Sequence, residues 1–141
     1  MNRTVSTIIG PATAQEEVRA VAITTLFGSF TTAGTSGALG NETDAAVLQG
    51  LREWADVILV GSGTVKAEGY GPSKTPMAVV SASLDFDTTT KLFSGTPPLI
   101  VAPRKSLEDP ALAPRRHALE AAGCELSLIH ISEPTRRYAI S

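Results

Sequence analysis

The chain has one cysteine and two histidines in 141 residues. A single thiol, Cys124, excludes an internal disulfide, and that absence is the pattern of a cytoplasmic protein. The scattered histidines leave no pair at metal-ligand spacing, so no metal site is expected. Long apolar runs are missing too. No stretch approaches the roughly 20 residues that cross a bilayer, and the first 13 residues lack the apolar core of a signal peptide. Charge of one sign never accumulates. The net charge is -2, which argues against nucleic acid, whose binders carry a basic patch. There is no internal repeat and no inter-domain linker. What remains is 43% hydrophobic and 18% charged, the balance of one globular domain.

Along that domain, residues 2–17 read as an irregular lead-in broken at Gly10-Pro11. Residues 19–27 (RAVAITTLF) are β-branched and apolar, a strand pattern. A loop of thirteen residues with four glycines follows, from Gly28 to Gly40. Asn41 and Asp44, three apart, open a helix as a variant capping box. Val47, Leu48, Leu51, Trp54 and Ala55 recur at helical spacing within it. Residues 57–60 (VILV) read as a strand buried on both faces, which favours a parallel sheet. Thr64 could cap a short turn running to Glu68. Residues 77–81 (MAVVS) and 99–102 (LIVA) are further strands, joined by a segment that is mostly loop. Residues 114–122 form a helix with Pro114 in its first turn and Gly123 at its end. A strand should start at Cys124-Glu125. Strands alternating with helices imply an α/β layer fold.

Residues 51–72, LREWADVILVGSGTVKAEGYGP, are the sharpest candidate segment for chemistry. A strand ends in Gly61-Ser62-Gly63. Glycines there let a ligand approach the backbone, and N–H groups at a following helix start bind phosphate or ribose oxygens. Ligands of parallel α/β sheets gather at such strand ends. Three familiar motifs are absent. Lys66 stands at the third glycine position of a Rossmann fingerprint, no Gly-Lys-Ser/Thr forms a P-loop, and no G-x-S-x-G elbow occurs. On local chemistry alone the segment is equally an ordinary strand-to-helix connection.

The same segment resembles the C-terminal reductase domain of the bifunctional riboflavin-biosynthesis deaminase-reductase. It is still more similar to the stand-alone actinobacterial pyrimidine reductases. The likeness rests on Leu51-Arg52, Asp56 and VGSGTVKAE (60–68), supported by Ser36-Gly37, LGNETD (39–44), MAVVSASLDFD (77–87) and LEAAGCE (119–125). It covers residues 18–125. It implies a dihydrofolate-reductase-like fold with a mainly parallel sheet, flanking helices and a homodimeric parent protein. It implies a reductase in which NADPH converts the ribosylamino group of a 5-phosphoribosylamino pyrimidine to ribitylamino. That chemistry belongs mainly to the cofactor. The alternatives on the same scaffold are a dihydrofolate-reductase-like activity and a non-catalytic nucleotide- or flavin-binding module.

By the same resemblance, Ser36 and Arg52 would contact substrate. Gly61, Gly63, Thr64, Glu68, Ser81 and Ser83 would line the NADPH site. Local chemistry offers plainer roles. Arg52 is a charge favoured at a helix C-terminus, Thr64 and Glu68 cap a turn, and Ser36 is a loop residue. Arg104, Arg115, Arg116 and His117 read as a solvated helix face rather than a phosphate site. The chain departs from the family at Phe27, where aspartate is usual, and at residues 69–74 (GYGPSK), where a second substrate arginine is missing. The later glycine-rich loop that would hold the NADPH pyrophosphate is absent.

Residues 126–136, LSLIHISEPTR, resemble something else. They match, without a gap, one reading frame of the transposase-end adapter used in preparing DNA sequencing libraries. The match implies that residues 126–141 are a non-native tail and that the domain is cut short near Glu125. Such a chain should fold poorly and bind NADPH weakly, because a parallel sheet edge is left open. By pattern alone, LSLIHI also alternates as a strand does.

Overall fold

The structure, a computed structural model, describes residues 3–22 and 40–129. It divides into two compact units, Met1–Val57 and Ile58–Ser141.

The first unit contains α1 (Arg3–Ile9) and α2 (Glu42–Trp54), which pack against each other. The lead-in is therefore not irregular throughout. In α1 the Ser6 and Thr7 hydroxyls donate back to the Arg3 carbonyl at 3.0 and 2.9 Å. These bonds absorb polar groups that otherwise compete with a helix. Val5 is its buried residue. Residues 19–22 are not in a strand, and the rest of that expected strand lies outside the described residues. Arg19 instead gathers the unit. Its guanidinium donates to Glu17 Oε1 at 2.6 Å and to the Ile9 and Pro11 carbonyls. It also stacks 4.2 Å from the centroid of the Trp54 ring, as a planar cation does. Glu17 answers with both oxygens. Oε1 accepts from Arg19, and Oε2 accepts from the Thr13 N–H at 2.7 Å. The Arg19 bond first, and the Thr13 bond second, hold the Glu17 carboxyl down to about 2.

The α2 cap is reciprocal. Asn41 Oδ1 accepts from the Asp44 N–H, and Asp44 Oδ2 accepts from the Asn41 N–H, both at 3.0 Å. Aspartate thus completes the box that glutamate usually closes. Gly50 is buried on this helix while Leu48 remains 41% exposed.

The second unit contains β1 (Ile58–Gly61), α3 (Ser62–Glu68), β2 (Met77–Val80), β3 (Leu99–Ala102), α4 (Arg104–Glu108), α5 (Ala113–Ala121) and β4 (Leu126–Leu128). The strands form one sheet in the order β1-β2-β3-β4, every neighbour parallel. β2 and β3 carry the core. Val79, Ile100 and Ala102 are fully buried, and Leu84, Leu92, Leu119 and Cys124 close around them. Phe86 and Phe93 meet edge to face at 6.2 Å beside this cluster. β1 corrects an expectation. It is not buried on both faces, for its exposure alternates and Leu59 is 66% exposed. It stands at the edge of the described sheet, and Leu59 and Gly61 are its exposed positions.

α3 also begins earlier than expected. Gly61 is its N-cap, without a side-chain cap bond, so Thr64 lies inside the helix and caps nothing. Gly69 ends it in the left-handed region. Beyond the last residue of α5, Gly123 takes φ 87°. The Gly123 N–H donates to the Glu120 carbonyl and the Cys124 N–H to the Leu119 carbonyl, the pairing of a Schellman motif. That turn feeds the chain back to the sheet. Residues 126–128 pair with β3, flanked by bonds from the Ile100 N–H to the Glu125 carbonyl and from the Ile129 N–H to the Ala102 carbonyl. A ladder bond uses backbone groups alone, so it accepts any extended segment of suitable face pattern. Residues 130–141 lie outside the described residues.

Candidate functional site

Because all four strands among the described residues run the same way, their C-terminal ends meet at one edge. Gly61 sits opposite Val80, and Val80 opposite Val101. The β1 exit and the β2 exit are therefore neighbours. Gly61, Gly63, Thr64, Ser81 and Ser83 fall on these two exits, so the structure brings five of the residues singled out in the sequence to one edge. Gly61 and Gly63 are exposed, and a Cβ built on either would meet nothing within 4 Å. The first turn of α3 presents backbone N–H groups with no side-chain cap at this point, which gives it partial positive character. Thr64 and Glu68, four apart, share a face of α3, with Thr64 exposed and Glu68 half-buried.

The β2 exit is a shaped loop. The Ser81 N–H continues the ladder by donating to the Val101 carbonyl at 3.0 Å. Ser81 itself is buried, and its hydroxyl oxygen accepts from the Leu84 N–H at 3.1 Å. Leu84 has φ 54° and is 1% exposed. A branched apolar side chain in the left-handed region is unusual and needs surrounding support. Ser81 thus shapes the loop from within, while Ser83 is exposed at the edge and its hydroxyl oxygen accepts from the Asp85 N–H at 3.3 Å. From α3, Lys66 reaches Asp85 at 3.6 Å and stands 5.6 Å from the Phe86 ring centroid. Both partners of that ion pair are about half exposed or more, so it orients more than it stabilises.

Of the residues read as a solvated helix face, Arg104, Arg115 and His117 are exposed and Arg116 is half-buried, and Arg115 and Arg116 also hold backbone carbonyls. Arg115 donates to the Ser83 carbonyl at 2.9 Å. Arg116 donates to the Ser106 and Asp109 carbonyls at 3.0 and 2.7 Å. Arg104 pairs with Glu108 at 3.2 Å, both exposed, and His117 is exposed. Sequence reasoning missed Ser106, whose hydroxyl donates to the Ala82 carbonyl at 2.6 Å. Its partner is 24 residues away and that of Arg115 is 32 away, distances at which local spacing carries no signal. Arg52 belongs to the first unit, half-buried in the last turn of α2. Ser36 and Phe27 lie outside the described residues.

A separate cavity of about 100 Å³ lies beyond the start of β2, lined by Gly71, Lys74, Met77, Leu92 and Pro98 among others. Met77 opens the strand, so this cavity belongs to the opposite edge. Among the described residues no helix is long and apolar enough to cross a membrane.

Comparison with known proteins agrees with this fold. Residues 16–115 match the family described as the RibD C-terminal domain. Among solved structures, a pyrimidine reductase-like protein from Corynebacterium diphtheriae is similar, at 30% identity and a TM-score of 0.68. The match covers 83% of this chain and 57% of the Corynebacterium chain. This chain therefore spans little more than half the length of that neighbour. No curated protein matches. The parallel sheet with flanking helices is the dihydrofolate-reductase-like α/β arrangement expected from the sequence. By its match over residues 16–115 and its fold, the chain belongs to the RibD C-terminal domain family.

Proposed function

We propose that this chain carries the nucleotide-facing part of an NADPH-dependent reductase of riboflavin biosynthesis. The observation that carries the reading is the glycine-floored edge between β1 and β2. Open space stands over Gly61 and Gly63, beside the uncapped first turn of α3 and the exposed Ser83. A Cβ would project into that space, and a bound nucleotide would fill it. The residues present leave room for a dinucleotide at this edge. Gly61 and Gly63 would admit it, the first-turn N–H groups of α3 and the Thr64 hydroxyl would bind its oxygens, and Ser83 would flank it. Glu68, on the Thr64 face, suits a ribose hydroxyl. Arg52 would bind substrate oxygens with a planar guanidinium.

When bound, NADPH supplies a hydride, and the substrate proposed is a 5-phosphoribosylamino pyrimidine whose ribosylamino group becomes ribitylamino. The side chains of this chain bind and orient, and no nucleophile of its own is required. Membership of the family and likeness to the pyrimidine reductase-like neighbour support this substrate class.

The test is NADPH oxidation, followed with the ribosylamino pyrimidine phosphate and separately with dihydrofolate. It is run on the 141-residue chain and on the open reading frame recovered from unamplified DNA. Turnover confined to the pyrimidine supports the proposal. In the product of the recovered open reading frame, turnover of dihydrofolate alone, or NADPH binding without turnover of either, contradicts it, while the 141-residue chain is expected to be inactive.

A further inference from the structure

Two hydrogen bonds from distant parts of the second unit converge on successive carbonyls of the β2 exit. The Ser106 hydroxyl, from α4, donates to the Ala82 carbonyl at 2.6 Å. Arg115 Nη1, from α5, donates to the Ser83 carbonyl at 2.9 Å. Ser106 is 5% exposed, and its own carbonyl accepts from Arg116. Arg116 also reaches the Asp109 carbonyl, so α5 anchors the short α4 that delivers Ser106.

Peptide planarity gives these bonds a directional consequence. The carbonyl and the N–H of one peptide unit point in opposite directions. Holding the Ser83 carbonyl toward Arg115 turns the Leu84 N–H inward, where the Ser81 hydroxyl oxygen receives it. Holding the Ala82 carbonyl toward Ser106 turns the Ser83 N–H away from α4. Leu84 at φ 54° is the cost of this arrangement, and its burial at 1% exposure helps retain it. The loop so fixed lies beside the β1 exit, at Gly61 and Gly63.

We infer that Ser106 and Arg115 are positioning residues that set the β2 exit loop for the bound nucleotide. They act through the backbone of residues 82–84 and do not themselves touch the cofactor. This rests on the NADPH reading above.

The experiment measures NADPH dissociation constants for the wild-type chain, titrated to millimolar cofactor, and for Arg115→Met, Arg115→Lys and Ser106→Ala. All are compared at a temperature where thermal unfolding shows each folded. Arg115 is exposed, so its variants test the idea without disturbing the core. Arg115→Met and Ser106→Ala should each weaken NADPH by about tenfold, the loss expected for one hydrogen bond to a charged or buried donor. Arg115→Lys, which keeps a donor, should recover part of it, and amide exchange at Leu84 should quicken in Arg115→Met. Equal affinities in wild type and variants would overturn the positioning role and leave the NADPH reading standing. A loss that Arg115→Lys does not recover at all would also overturn the donor role. No binding by folded wild type at millimolar NADPH would overturn both.

Discussion

At the residue scale, single side chains use up their bonding capacity in ways that titration and labelling can read. Glu17 gives a pH dependence with a definite sign. Its carboxyl is held down to about 2 from an ordinary 4.5, chiefly by Arg19. A depressed carboxyl stabilises the fold above the unfolded value and loses that contribution as pH falls toward the folded one. The stability difference between wild type and Glu17→Gln should therefore be complete above about pH 4.5, shrink below it and vanish near pH 2. Chemical denaturation at a series of pH values checks this, and a difference that persists unchanged at pH 2 would refute the assignment. Cys124 makes the opposite case. Burial alone raises its thiol, and it packs in the core with Leu119 and Ile100. A thiol reagent should label it slowly in the native chain and rapidly in denaturant. Fast native labelling would contradict its place in that cluster.

At the element scale, the sheet end and the helix ends make separable demands. Gly63 lies inside α3 with open space around it. Alanine there should raise the unfolding free energy by up to about 1 kcal/mol, because glycine is a poor helix residue. The same methyl enters the space proposed for the nucleotide, so NADPH affinity should fall while stability rises. A stability gain with unchanged NADPH affinity would remove Gly63 from the site. Gly123 is different. Its φ is 87°, and a Cβ would stand 3.1 Å from Pro97 Cγ. Gly123→Ala should cost about 1–2 kcal/mol, measured by urea unfolding, and a neutral result would deny the Schellman turn.

How far these elements were readable follows from where their signals lie. β2 and β3 announce themselves as apolar runs, and α2 by its stripe and its Asn41-Asp44 cap. α1 was hidden because RTVSTII is rich in β-branched residues that favour strands. α4 is hidden because the five residues between Pro103 and Asp109 span little more than one helical turn, too few for a repeating pattern. At the candidate site, the glycines are visible as a motif, and Ser81 and Ser83 only through the family resemblance. Leu84 in the left-handed region was not, since nothing in its own side chain requires that conformation. Its supports are Ser81, Ser106 and Arg115, and the last two come from later elements.

At the scale of the whole molecule, family membership and fold converge on residues 16–115, the stretch that holds the β1 and β2 exits. The end of the chain is a separate matter. Residues 126–128 pair with β3, yet backbone pairing does not depend on their origin. We propose that residues 126–141 are adapter-derived. Sequencing the locus from unamplified DNA should give a different sequence after Glu125, and recovering the same LSLIHISEPTR there would refute this.

The central claim is that the C-terminal edge between β1 and β2 receives a nicotinamide dinucleotide. Its most direct test is backbone amide spectroscopy of the isotopically labelled chain during titration with NADPH. The account predicts saturable shifts concentrated at Gly61, Gly63, Thr64 and Ser83, with little change around Lys74 at the opposite edge. Shifts centred on Lys74 and Met77, or none at millimolar NADPH in a folded chain, would contradict it.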